Sequence, residues 1–156
     1  FPIYVGGNNP NQPRRAGAYA EGWMPAGMPV DQLRVHIATM KETAAKLGRD
    51  GGSLAVAPQF ICCVGQTHEQ AVQRFRTSQM YEHLVSLRDS TLKGQAGLNL
   101  EQINLIGTAS EIIEKAYKLS EAGVTHLCGT YYCADSVAEL LDQMQIFAEQ
   151  VMPHIS

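Results

Sequence analysis

Apolar and polar residues follow two periods along this chain, which predicts strands that alternate with helices. Short apolar runs predict four strands, at residues 2–5, 22–24, 54–64 and 124–132. Apolar residues spaced three and four apart predict helices in between. The last helix has its apolar stripe at Val137, Leu140, Leu141, Met144, Phe147 and Val151.

Several helix starts have capping signals. Thr67-x-x-Gln70 and Thr108-x-x-Glu111 have the spacing of a capping box, in which each side chain bonds the backbone of the other residue. We expect one helix after Thr67, continuing past residue 81. Asp135 is expected to cap the last helix, because a carboxylate accepts from first-turn amides.

Two stretches fit the alternation less well. Pro58 lies inside the third predicted strand, where its missing amide predicts a bulge or an edge position. Residues 90–104 have no clean period and contain Gly94 and Gly97, so we expect a long loop with one helical turn at most.

Strands that alternate with helices indicate an α/β fold with parallel strands and right-handed crossovers. Two architectures fit the 156 residues. One is a small doubly wound, flavodoxin-like sheet. The other is half of an eight-stranded barrel, since a complete barrel takes about 250 residues. We expect residues 1–156 to form a single unit of four strands and their helices, and the pattern alone leaves both architectures open.

Composition excludes several classes of partner. The formal net charge of −3 gives no basic footprint for nucleic acid or an anionic membrane, and no apolar run reaches membrane-spanning length. The four cysteines include no C-x-x-C pair, so we expect no metal site and reduced thiols in a cytoplasmic protein. We therefore expect neither nucleic acid nor a membrane as a partner, and the resemblance described below implies a small-molecule substrate.

The end of the first strand is the strongest candidate for ligand binding. In parallel α/β folds ligands gather at the carboxyl ends of strands, and Gly6-Gly7-Asn8-Asn9 follows the first one. Glycine lets the backbone approach a ligand, and a helix start offers free N–H groups and a positive dipole end. The segment therefore predicts a phosphate site, with a plain tight turn as the alternative.

Other strand ends suggest a substrate pocket. Trp23 fits either the core or a pocket, and Ala26 lies just beyond the same strand end. Tyr131 and Tyr132 should face opposite ways because side chains alternate along a strand. His126 fits a hydrogen-bonded structural role better than that of a base. No catalytic motif stands out, so the catalytic residues stay unknown.

Two segments resemble the bacterial luciferase-like flavin oxidoreductases. They are PIYVGGNNPNQPRRAGAYAEGWMP (residues 2–25) and NLIGTASEIIEKAYKLSEAGVTHL (residues 104–127). The resemblance implies a (β/α)8 barrel, of which this chain would supply strands five to eight. It also implies FMN or the deazaflavin coenzyme F-420, used for hydride transfer or monooxygenation.

The resemblance assigns roles to individual residues. Gly6, Gly7, Asn9 and Pro10, with Asn8 between them, would bind the cofactor phosphate. The catalytic groups of the family would lie upstream of Phe1, so we expect the chain to be a fragment. Exposed strand edges on a half-barrel favour association, so we also expect self-association or a homodimer.

Overall fold

The computed structural model describes residues 1–87 and 97–155. The strands in this part of the chain are Tyr4–Gly6 (β1), Gly22–Met24 (β2), Ala55–Val56 (β3), Gln59–Val64 (β4), Leu105–Gly107 (β5) and Gly129–Tyr132 (β6). The helices are Asn11–Tyr19 (α1), Val30–Lys46 (α2), His68–Thr77 (α3), Gln79–Ser86 (α4), Ala109–Glu121 (α5), Val137–Gln150 (α6) and Met152–Ile155 (α7). The chain divides into two compact units.

The first unit comprises residues 1–59 and 119–129. Its three strands form a parallel sheet in the order β1-β2-β3, with Val5 opposite Trp23 and Trp23 opposite Val56. Helices α1 and α2 pack closely, because a Cβ at Gly17 would lie only 2.3 Å from the carbonyl oxygen of Met40. Glycine at this position therefore lets the two backbones touch.

Arg49 holds the end of α1 in place. Its guanidinium donates to the carbonyl oxygens of Ala16, Gly17 and Ala20, at 3.3, 2.7 and 2.6 Å. The last carbonyls of a helix have no intrahelical partner, and a cation is favoured there. The Arg49 side chain thus fixes the helix that follows the candidate phosphate turn.

The second unit comprises residues 60–118 and 130–156. Its parallel sheet has the order β5-β4-β6, with Cys63 opposite Ile106. The side chains that form its core include Ile61, Phe75 and Cys133, all buried. The α/β class with parallel strands is therefore confirmed, while the organisation of residues 1–156 as one unit stays a prediction.

Two side-chain amides extend the hydrogen bonding of β4. The Gln143 side chain accepts from the amide of Val64 at 2.8 Å and donates to its carbonyl oxygen at 3.0 Å. The Asn104 side chain accepts from the amide of Ile61 at 2.9 Å. Both are buried, and each satisfies backbone groups that no neighbouring strand reaches.

The third predicted strand is two strands. Residues 54–64 divide at Pro58 into β3 and β4, which belong to different sheets. Proline has no amide for a sheet, so a break rather than a bulge results. The fourth predicted strand is also shorter than expected and begins at Gly129. Before it, the Thr125 hydroxyl accepts a hydrogen bond from the amide of Val56 at 3.0 Å, where a backbone carbonyl would accept in a regular strand pair.

The described part of the predicted loop at residues 90–104 contains no helix or strand, as expected, but an unpredicted strand follows it directly. Residues 88–96 lie outside the described part of the chain, and the segment that follows leads into β5. The sequence pattern gave no strand here because Leu105–Gly107 is only three residues long. The helix expected after Thr67 is two helices, divided at Ser78, whose hydroxyl accepts from the Tyr81 amide.

The last helix corrects two expectations. Its cap is Ser136, which accepts from the amide of Glu139, and the Asp135 amide instead donates to the Glu139 side chain at 2.8 Å. Asp135 is therefore not the cap. Of the predicted stripe, Phe147 and Val151 are buried. The other four residues are exposed, at 73% for Val137, 36% for Leu140, 59% for Leu141 and 47% for Met144.

Lys115 should be essential to the stability of the second unit. Its ammonium donates to the carbonyl oxygens of Glu101, Asn104 and Ile106 at 2.9 to 3.1 Å. Lys115→Met keeps the aliphatic stem but leaves these acceptors without their donor. We expect a loss of about 2–3 kcal/mol in the free energy of unfolding, measured by urea denaturation.

The matched control is Lys118→Met on the same helix. Lys118 makes an exposed ion pair with Glu114, which is worth only about 0.3–0.5 kcal/mol. Equal losses for the two variants would contradict the structural role of Lys115.

Candidate functional site

The turn between β1 and α1 is held from both sides of its second glycine. Gly7 has φ +99°, a conformation that side-chain-bearing residues rarely adopt. Its amide donates to the Met24 carbonyl oxygen at 3.1 Å, and its own carbonyl accepts from the Trp23 indole at 3.0 Å. The end of β2 therefore fixes the shape of the turn.

Asn8 joins this turn to the segment after β2. Its side-chain oxygen accepts from the amide of Ala26 at 2.8 Å. Its side-chain nitrogen, Nδ2, is buried and has no hydrogen-bond partner among the described residues. A buried donor without an acceptor costs about 1–3 kcal/mol, so this nitrogen is a specific feature that needs an explanation.

Asn9 organises the start of α1. Its side chain accepts from the Asn11 amide at 2.9 Å, and its carbonyl accepts from the Gln12 amide at 2.8 Å. Pro10, the N-cap residue, and Pro13 have no amide. The free first-turn amides that the sequence pattern predicts are thus already bonded at Asn11 and Gln12.

The electrostatics of this helix start still favour an anion. No acidic residue lies in the first turn of α1, where the helix dipole is positive. Arg14 and Arg15 are exposed, and each makes only a long side-chain bond of 3.4 Å, to Asn11 and Gln12. Both cations remain available close to the turn.

Trp23 and Ala26 support the turn in different ways. Trp23 has no exposed surface and packs its ring edge against His36, with ring centroids 5.7 Å apart. Burial lowers the pKa of His36. These contacts match the core alternative for Trp23. Ala26 is buried only in part and pairs with Gln59 in an isolated parallel bridge.

The sequence pattern missed a cluster on the opposite face of the first sheet. Met24 follows Trp23, so its side chain points away from α2. Its sulfur lies 3.5 Å from the side-chain nitrogen of Gln59 and 3.5 Å from the sulfur of Cys128. The alternation along β2 was the available signal, since it places Met24 on the face that Trp23 does not use.

The predicted site residues are divided between the two units. Gly7, Asn8, Trp23 and Ala26 share the first unit and contact one another. Tyr131 belongs to the second unit, where it is 48% exposed.

His126 and Tyr132 lie in different environments. His126 is exposed and contacts the Thr125 hydroxyl through Nδ1 at 2.9 Å. Tyr132 packs against Phe147, so it faces the core of the second unit while Tyr131 is exposed.

A second polar group lies at the carboxyl ends of β4 and β5. Glu111 accepts from the amide and hydroxyl of Thr108 at 2.7 and 3.1 Å, and the Glu111 amide donates back at 3.4 Å. The capping box predicted there is therefore confirmed. His68 lies 3.0 Å from the other Glu111 oxygen. The Thr108 backbone bond is the main reason that the pKa of Glu111 is lowered.

Metal and membrane features are missing from the described ranges. Residues 1–87 and 97–155 contain no group of three or more His, Cys, Asp and Glu side chains arranged to hold a metal ion. No helix in the same ranges is long and apolar enough to cross a bilayer.

Comparison with known proteins assigns this chain to a family. The model of the luciferase-like monooxygenase family matches residues 1–126. The match covers most of the chain, so the protein belongs to the luciferase-like monooxygenase family. No curated protein sequence gave a significant match.

Solved structures agree on the fold. An F420-dependent secondary alcohol dehydrogenase, in complex with an F420-acetone adduct, is 21% identical, with a TM-score of 0.72 over 99% of this chain and 49% of its own. The oxygenating constituent of 3,6-diketocamphane monooxygenase from Pseudomonas putida, with FMN, is 18% identical at the same TM-score and coverage.

A third structure extends the comparison. The coenzyme F420-dependent tetrahydromethanopterin reductase from Methanopyrus kandleri is 16% identical, with a TM-score of 0.69 over 100% of this chain and 51% of its own. The chain thus spans about half the length of each of these three proteins. The predicted half-barrel architecture is supported over the flavodoxin-like alternative, because the match runs the length of this chain.

The two glycines of the turn should respond differently to substitution. A Cβ at Gly7 is strained at φ +99°, whereas one at Gly6 would meet only the Met24 carbonyl oxygen, at 3.8 Å. We expect Gly7→Ala to lower the free energy of unfolding by about 1–3 kcal/mol and Gly6→Ala to change it by less than about 0.5 kcal/mol. Thermal denaturation of the pair measures the difference. Equal tolerance at both positions would show that the turn is not held in this conformation.

Proposed function

We propose that this chain is part of a flavin- or deazaflavin-dependent oxidoreductase that acts on a small organic molecule, and that the β1–α1 turn binds the cofactor phosphate. The observation that carries the proposal is the buried, unpartnered Nδ2 of Asn8. The residues assigned to the phosphate are Gly6, Gly7, Asn8, Asn9 and Pro10.

The donor set of the turn fits a phosphate oxygen. Several polar groups of the turn already have partners: the Gly7 amide, both oxygens of Asn9 and the side-chain oxygen of Asn8. A ligand oxygen at Nδ2 would complete this set without displacing any of these bonds. A hydrogen bond to a charged acceptor contributes about 1.5–3 kcal/mol, which is more than a hydrogen bond between neutral groups contributes.

Charge adds to this geometry. The positive end of the α1 dipole and the two nearby arginines, Arg14 and Arg15, favour a negatively charged group at this position. Both FMN and coenzyme F-420 present a phosphate. The proteins of similar fold were solved with FMN in one case and with an F420 adduct in another.

The bound cofactor would supply hydride transfer or oxygen activation. The described residues would bind and orient it. The Trp23 indole and the Met24 carbonyl keep Gly7 in place, so the turn is ordered before a ligand arrives. The Met24, Gln59 and Cys128 cluster offers a neutral, polarisable surface beyond the end of β2, which suits an uncharged substrate. Free thiols at all four cysteines support a cytoplasmic location.

Asn8→Asp tests the phosphate site with little change in shape. The variant keeps the oxygen that accepts from Ala26 and replaces the Nδ2 donor with an oxygen that repels phosphate. We expect FMN to bind at least tenfold more tightly than riboflavin to the wild type, and Asn8→Asp to abolish this difference. Quenching of flavin fluorescence measures both affinities.

Gln32→Glu is the matched control, because Gln32 is exposed on α2 and acquires the same charge. It should leave the ratio of FMN to riboflavin affinity unchanged. Equal affinity of the wild type for FMN and riboflavin would refute a phosphate site at this turn.

The exposed stripe of α6 supports a second proposal, that the chain self-associates. Val137, Leu140, Leu141 and Met144 are spaced three and four residues apart and form one apolar face. A second copy of the chain would bury this face, as the same surface on both partners of a two-fold dimer.

Leu141→Glu tests this association. We expect wild-type chain to sediment as a dimer at tens of micromolar and Leu141→Glu to sediment as a monomer. Ala138→Glu, exposed on the same helix but away from the stripe, should remain dimeric. A monomeric wild type at high concentration would contradict the proposal.

A further inference from the structure

The second unit contains a pair of buried thiols outside the site described above. Cys63 lies in β4 and Cys133 directly follows β6, and neither has exposed surface. The Cys133 amide donates to the Cys62 carbonyl oxygen at 3.0 Å. In a parallel ladder this bond sets Cys133 opposite Cys63, and both side chains belong to the same core cluster.

The spacing of the strands suits a disulfide. Neighbouring strands lie about 4.8 Å apart, which is inside the range of about 4.4–6.8 Å that Cα atoms of a disulfide span. Cys62 points to the other face of β4 because side chains alternate, so Cys63 is the cysteine of the vicinal pair that faces Cys133.

The two thiols are not equivalent. The interaction between the two thiol groups lowers the pKa of Cys133 and raises that of Cys63. The Ser78 hydroxyl, 3.6 Å from the Cys133 sulfur, and the charge of Arg74 act in the same direction on Cys133, whereas its burial and Asp135 oppose them. Cys133 is therefore the more acidic thiol of the pair, and so the better candidate for the attacking sulfur.

The second unit has a cleft of about 830 Å³ whose lining includes sequence neighbours of the pair. Its lining includes Val64, which follows Cys63, and Thr77, which precedes Ser78. Asp135, two residues after Cys133, lines it as well. Neither Cys63 nor Cys133 lines the cleft, so an oxidant would have to pass the lining residues to reach the pair.

We propose that Cys133 is a site of oxidation by hydrogen peroxide and that Cys63 converts the product into a Cys63–Cys133 disulfide. The Cys133 thiolate attacks one peroxide oxygen, the O–O bond breaks, and hydroxide leaves as the sulfenic acid forms. The Cys63 sulfur then attacks the Cys133 sulfur, the S–O bond breaks, and water leaves. The two thiols lose two electrons and two protons, and the peroxide is reduced to two waters.

The test isolates the two thiols. In a Cys62→Ala, Cys128→Ala variant only Cys63 and Cys133 remain, and trypsin places them on different peptides, residues 50–74 and 119–156. We expect native protein treated with hydrogen peroxide to yield these two peptides joined by a bond that dithiothreitol cleaves. Adding Cys63→Ser should abolish the cross-link and leave a Cys133 sulfenic acid that dimedone labels.

Wild-type protein provides an independent measurement, in case the variant folds poorly. After peroxide treatment and denaturation, the number of thiols that N-ethylmaleimide alkylates should fall by two beyond any loss at exposed Cys128. The proposal is overturned if Cys63 and Cys133 both stay alkylatable after Cys128 has been oxidised completely. It is overturned equally if the cross-link in wild type joins Cys62 or Cys128.

Discussion

The left-handed conformation of Gly7 is the constraint on which the candidate site depends. It reverses the chain at the end of β1, so that the Gly7 amide reaches the Met24 carbonyl and its carbonyl reaches the Trp23 indole. These two bonds join the first two strands at their carboxyl ends. They also direct the next residue, Asn8, across to Ala26. Without glycine at this position the chain would leave β1 in another direction, and the Asn8 carboxamide would not be buried where it is.

The proposed phosphate site rests on one unsatisfied donor in the same region. Folded proteins leave few buried donors without an acceptor, because such a donor has lost the hydrogen bond that water provides in the unfolded chain. In the turn, Nδ2 of Asn8 is the one buried side-chain nitrogen or oxygen without a partner among the described residues. The positive end of α1 and the exposed arginines set the sign of the charge that fits. Geometry and electrostatics both favour an anion, and this agreement is the basis of the proposed phosphate site.

Local sequence signals predicted those parts of the fold that local chemistry decides. The strand Gly22–Met24 has the predicted bounds, and the capping box at Thr108 and Glu111 forms as expected. The errors arise where tertiary contacts decide. A three-residue strand such as Leu105–Gly107 has too few residues for a period. The spacing of apolar residues predicts that the stripe of α6 is buried, although the structure leaves it exposed. The pattern shows that a helix face is apolar but not whether another element covers it.

For the candidate site, the sequence located the turn but not the donor. The glycine pair and its position after a strand pointed to Gly6–Asn9, and the resemblance added Pro10, whereas the expected free amides at Asn11 and Gln12 are taken by Asn9. The burial of the Asn8 side chain goes with the bond of its oxygen to Ala26, a contact 18 residues away in sequence that a local pattern does not report.

The most direct test of a phosphate at Asn8 is therefore the side-chain amide resonance of this residue, assigned in ¹⁵N-edited NMR spectra and followed as FMN and then riboflavin are added. If the phosphate binds at Asn8, we expect a large shift of that resonance with FMN, smaller shifts at Gly7 and Asn9, and little change with riboflavin. An Asn8 side-chain resonance that does not respond while FMN binds elsewhere on the chain would contradict it.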